Sequence, residues 1–159
     1  MEVLLFLIAF TLHNIEEALF LPAWSNTSRF QKTVEPKVFY FAVSIVTLVA
    51  YSIGILFLMW PENKLMIYLQ TGLIGAMLIN VIFPHTAAAI VERRYAPGIL
   101  TGAVLLLPTG SIALLHMIQI AKLSILEMVF CAAATGIMLL GIIHIMFKLG
   151  EKIGERFDH

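Results

Sequence analysis

Charge is scarce in this sequence. Asp, Glu, Lys and Arg make up 13% of the 159 residues, while 60% are hydrophobic; a soluble domain carries about 25% charged residues. Between Val38 and Trp60 the only ionisable side chains are the phenols of Tyr40 and Tyr51. A membrane span needs about 20 predominantly apolar residues. Runs this long exclude a soluble globular domain and imply an all-α integral membrane protein.

Other absences narrow the choice further. The single Cys131 excludes an intramolecular disulfide and reads as core packing. Net charge is zero and there is no basic stripe with interleaved aromatics, so nucleic acid is not an expected partner. Met1-Glu2-Val3 lacks the positive flank of a secretory leader, and the first apolar segment reads as retained. Internal repeats and low-complexity tracts are missing too, which points to one domain over residues 1–159.

Breaks at proline and charge clusters divide the chain into five expected spans, about 3–22, 38–60, 65–92, 97–121 and 124–148. The basic residues check that count. Arg29, Lys32, Lys37, Arg93, Arg94, Lys148, Lys152 and Arg156 share one side, and only Lys64 and Lys122 fall on the other. Cytoplasmic loops carry the excess of Lys and Arg. The expected topology is N-terminus out and C-terminus cytoplasmic, in a multi-pass protein of the cell membrane. Small residues four apart, Gly72/Ala76 and Ala132/Gly136, suit close helix contacts.

Polarity is concentrated where it costs most. In Phe10-Thr-Leu-His-Asn-Ile-Glu-Glu-Ala-Leu-Phe20 the apolar run carries His13, Asn14, Glu16 and Glu17. A carboxylate at mid-membrane costs about 2.5–3.5 kcal/mol, against about 0.3–0.6 gained per strongly apolar residue. Alone, the first helix would barely prefer the bilayer, so its polar groups need partners on other helices. Intramembrane ionisable residues are functional candidates. His13, Glu16 and Glu17 stand at i, i+3 and i+4, one helical face. The i, i+4 pair His13 and Glu17 suits metal ligation, with Glu16 as base.

Depth selects their partners. His85 and Asn80 in the third span lie in the same half, about 10 Å and 18 Å from its cytoplasmic end. Pro84 cannot donate to the carbonyl of Asn80, so a kink is expected one turn before His85. His144 in the fifth span falls at similar depth, as a supporting group. His116 falls near the opposite end and is excluded, and His159 belongs to a solvated tail. Glu92, Arg93, Arg94 and Tyr95 form a rim for an anionic group, and Pro97 suits the first turn of the fourth helix.

His-Asn-Ile-Glu-Glu at 13–17, followed by Asn80 with His85 and by Tyr95-x-Pro97-Gly98, resembles the HXXEE-motif membrane protein family. These are small bacterial proteins of unknown function, so the resemblance implies a membrane fold and no activity. Three functions stay open on the residues. The first is a mononuclear zinc or iron site on His13, Glu17 and His85, with Glu16 as base and Asn80 orienting substrate or water. It would serve an enzyme, foremost a hydrolase, on a lipid or other apolar substrate entering from the bilayer. The second is proton-coupled transport, for which a homodimer would supply a second half. The third is ligand binding without chemistry.

Overall fold

The computed structural model describes residues 1–157, and the expectation for His159 lies outside the described residues. The chain is all helical. Its spans are α1 (Glu2–Ser25), α2 (Pro36–Met59), α3 (Lys64–Glu92), α4 (Ile99–Ala121) and α5 (Ile125–Phe157). All five are long and apolar enough to cross a membrane. Three deviations from the expected bounds have local causes. α1 runs past Pro22 because the Ser25 hydroxyl donates to the Pro22 carbonyl at 2.8 Å and holds the last turn. α5 continues beyond 148 as a charged helix. Pro97 does not open α4; it precedes the Gly98 N-cap and is fully buried in the turn.

The spans run up and down, so α1, α3 and α5 are parallel. At one end Phe39 lies against Phe147, and Glu92 accepts from the Arg29 and Phe30 amides at 2.8 and 3.0 Å. Arg29, Lys32, Lys37, Arg93, Arg94, Lys148 and Lys152 therefore share that end. At the other, Glu2 reaches His116 and Glu127 reaches Tyr68. The exterior is apolar: Ile8, Leu19, Leu48, Ile90 and Phe130 are all more than half exposed. Water does not tolerate such a continuous belt, and lipid does.

Lipid tails are as apolar as the core side chains, so close packing and interhelical polar contacts hold such a bundle together. Phe6, Leu7 and Phe10 of α1 pack with Ile53, Phe57, Leu73, Ile74, Leu106 and Met117 in one buried cluster. Asn14 donates to Thr47 at 2.8 Å and Thr11 meets Tyr51 at 3.0 Å, tying α1 to α2. α5 packs along α3 and α2. Its approach to α3 uses the small residues: Gly72 faces Thr135 and the Cys131 carbonyl, Gly75 faces Ala132, and Gly136 faces Ala76.

That contact generates a prediction. A Cβ at Gly72 would strike the Cys131 backbone carbonyl, whereas one at Gly141 meets nothing within 4 Å. Gly72→Ala should destabilise the purified protein by about 1–3 kcal/mol, as overpacking does. Gly141→Ala should be neutral or stabilise by up to about 1 kcal/mol from helix propensity. Thermal unfolding in detergent compares the two, and equal melting temperatures would refute the close α3–α5 contact.

Candidate metal centre

Helix starts explain the site. α2 is capped by its own Glu35, α3 by Asn63, and α5 by Ser124 and Glu127. α4 has Gly98 at its N-cap, which carries no side chain to do this. The acceptor comes from α1 instead. Glu16 Oε1 takes the Gly98 amide at 2.9 Å, the Leu100 amide at 3.3 Å and the Tyr95 hydroxyl. Its Oε2 takes the Thr101 amide at 2.7 Å and the Thr101 hydroxyl. A carboxylate at a helix N-terminus is favoured by the exposed N–H groups and the dipole. Burial and the Glu16 carboxylate push the Tyr95 phenol above its ordinary range, so it remains a donor at physiological pH.

This arrangement leaves Glu16 poorly suited to the expected role of base. Both oxygens are saturated by donors, and Glu16 does not line the cavity described below. It positions its neighbours instead. Thr101 donates its hydroxyl proton to Glu16, so its oxygen is free to accept from His13 Nδ1, 3.4 Å away. That contact assigns the His13 proton to Nδ1 and leaves Nε2 with its lone pair. His13 is fully buried, and Nε2 has no partner. A buried polar atom left unpaired costs about 1–3 kcal/mol, which makes this nitrogen a candidate ligand atom.

His85 reaches the same place because α3 breaks. Phe83 has extended backbone (φ −135°, ψ 116°) at the expected kink, and the Thr86 hydroxyl donates to the Val81 carbonyl at 2.8 Å. The His13 and His85 rings meet edge to face with centroids 4.9 Å apart. Gly98, at φ +87°, lies against both; a Cβ there would come within 2.7 Å of His85 and 2.8 Å of His13. Glu17 Oε1 is 3.0 Å from His85 Nε2, and Asn80 Nδ2 is 3.0 Å from the same nitrogen.

One ligand atom from each of His13, Glu17 and His85 lies within 4.8 Å of the others. Two ligands of a tetrahedral ion at about 2.0–2.2 Å are about 3.4 Å apart. A pair at the 4.8 Å limit would therefore close by about 1.4 Å, a movement that side-chain rotation supplies. Two histidines and one carboxylate is a donor set used by catalytic zinc and by non-haem iron(II). Sequence reasoning missed Thr101, and it noted Gly98 as part of a motif without its place against the two imidazoles. A helix start with no local acceptor was the available signal for both.

The remaining candidates are dispersed. His144 is exposed on α5 and does not line the cavity, although its neighbour Ile143 does; the depth was right and the face was wrong. His116 is at the far end, 3.7 Å from Glu2. The rim residues hold each other. Arg94 pairs with Glu92 at 2.7 Å, donates to Thr27 at 2.8 Å and lies 5.3 Å over the Trp24 ring. Glu92 also accepts from Ser28 at 2.6 Å and so orders the α1–α2 loop. Arg93 is exposed in a left-handed turn at the end of α3.

Glu17 and His85, with Asn14 and Asn80, line a cavity of about 610 Å³. The rest of its wall is apolar, drawn from α1, α2, α3 and α5. The molecule is thus a helical bundle built for a membrane, with a buried His–Glu–His centre beside an apolar chamber. The chain belongs to the family described as protein of unknown function with HXXEE motif, which matches residues 4–113. It is 42% identical over 149 residues to the uncharacterized protein YrkK of Bacillus subtilis (strain 168), covering 93% of this chain and 94% of that one. No solved structure matches.

The contrast between adjacent carboxylates is testable. Glu16 satisfies five donors, while Glu17 meets one imidazole. Glu16→Gln turns an amide NH2 toward N–H donors and should cost on the order of 3 kcal/mol. Glu17→Gln keeps an amide oxygen for the His85 N–H and removes a charge from an apolar setting, so metal-free stability should be unchanged or raised. Thermal unfolding in chelator ranks the two, and the reverse order would refute this division.

Proposed function

We propose that this protein is a mononuclear metal-dependent enzyme of the bacterial inner membrane, a hydrolase acting on a lipid or other apolar substrate. The observation that carries the proposal is the cluster of ligand atoms from His13, Glu17 and His85, together with the unpaired Nε2 of the fully buried His13. His13, Glu17 and His85 would hold zinc or iron. The bound ion would supply a Lewis acid and activate water near neutral pH. Because Glu16 is engaged, no separate carboxylate base is assigned. Asn80 and Asn14, both on the cavity wall, orient the substrate or the water, and Thr101 keeps His13 in its ligating tautomer.

The chamber sets the substrate class. A largely apolar wall with a few convergent polar groups is the usual make-up of a small-molecule site. The half of the bundle beyond it is filled by Phe6, Leu7, Ile53, Phe57, Leu73 and Met117. That packing supports a one-sided reaction chamber over a transport path. The basic end would face the cytoplasm, in keeping with the bias of Lys and Arg, and the N-terminus would face out.

Two measurements test this reading. Metal analysis of protein purified without chelator should give one zinc or iron per chain, and Glu17→Gln should remove it while the bundle stays folded. Gly98→Ala should also lower metal content, by pushing both imidazoles off their positions. Unchanged metal content in both variants, or no metal in the wild type after loading, would refute the metal centre. Independently, reporter fusions should place the C-terminus in the cytoplasm.

A further inference from the structure

The chamber is closed on one side and open on another. Its walls from α1 and α2 are sealed: Phe10, Leu21, Ala42 and Val46 are buried. On α3 and α5 the lining residues also face outward. Ile79 is 56% exposed, Phe83 63%, Ile137 72% and Leu140 67%. The two helices touch closely at Gly72 and Gly75 and are still in contact where Gly136 faces Ala76. Beyond that point the break at Phe83 redirects α3, and a gap toward the bilayer side remains. Phe30, from the loop that Glu92 orders, lies edge to face on Phe83 at 5.8 Å and borders this gap.

The end of the chamber nearest the basic loops has a polar fixture. The Trp24 indole N–H is buried without an acceptor, and Trp24 and Gln31 line the chamber. The Arg94 guanidinium lies over the same indole. An unpaired donor beside a cation calls for an oxygen acceptor, and the surrounding wall calls for hydrocarbon.

We propose that the chamber takes the chain of a single-chain membrane amphiphile, admitted sideways between α3 and α5, with its oxygen-bearing head group at Trp24. This deepens the enzyme reading by naming the substrate class, and rests on it only in placing the labile bond near Glu17, His85 and Asn80. The binding itself needs no metal.

Fluorescence quenching tests the proposal in metal-free full-length protein in phosphatidylcholine vesicles. Trp60→Phe leaves Trp24 as the reporter, and the difference from the wild type, whose head-group site is intact, reports Trp60, which is exposed at the opposite end. Stearic acid and lysophosphatidic acid, each brominated along the chain, are the probes. Trp24 quenching should saturate at low mole fraction with at least one probe, while Trp60 quenching rises only in proportion to probe in the bilayer. The probe that saturates first identifies the head group as carboxylate or phosphate. Gly136→Leu should weaken the saturable component about tenfold, because its Cβ has ordinary clearance from Ala76 and the added bulk enters the gap. Leu140→Phe repeats the block from an exposed position should Gly136→Leu fail to fold. Proportional quenching of Trp24 by both probes, or saturation indifferent to both blocks, would overturn the proposal. Saturable quenching in a protein that binds no metal would keep the chamber's ligand and remove the enzyme.

Discussion

The site depends on one carboxylate standing in for a missing cap. Four backbone N–H groups at any helix start lack intrahelical partners, and in a bilayer they have no water to turn to. α4 begins at a glycine, so Glu16 of α1 answers for it. The same bonds draw the Tyr95–Thr101 turn onto α1. Gly98 is then pressed against two imidazoles, and Thr101 is set beside His13. An ion pair in this position would have been bulkier and more distant. Backbone donors are short, which brings the two helices close enough for a shared centre.

The neighbouring carboxylate has the opposite surroundings. Glu17 projects toward His85 and the chamber, with its remaining oxygen free to turn. Two adjacent glutamates therefore divide the work: one is immobilised by donors and shapes the backbone, and the other faces the chamber and is available to a cation. Environment decides which carboxylate does what. Asn80 adds a constraint at His85 Nε2, since one nitrogen cannot both accept from an amide N–H and donate to a carboxylate. Rotating the amide resolves the conflict.

The spans were legible because membrane energetics act on single segments: twenty apolar residues and a charge bias suffice. His13, Glu17 and His85 were legible as a group because polar residues in such segments must find each other, and depth limits the choice. The role of Glu16 was not legible from its own helix, where i, i+3 spacing makes it look like part of the metal set. Its meaning lies at residues 95–101, in a turn whose left-handed Gly98 leaves α4 uncapped. His144 shows the reverse failure. Depth along a helix follows from counting residues, but one residue rotates the face by about 100°, and composition did not say which face of α5 looks inward.

The reliance of Glu16 on a partner 82 residues later bears on how the chain is made. Domains and segments emerge from the ribosome in order, at about 5–20 residues per second. α1 is therefore delivered to the membrane several seconds before the turn at 95–101 exists. Throughout that interval it is the least secure span of the nascent chain, carrying two acids with no donors to receive them. Final seating of the first helix is thus among the last events of assembly. Biogenesis runs in effect backward here, with the start of the protein settled by its fourth span.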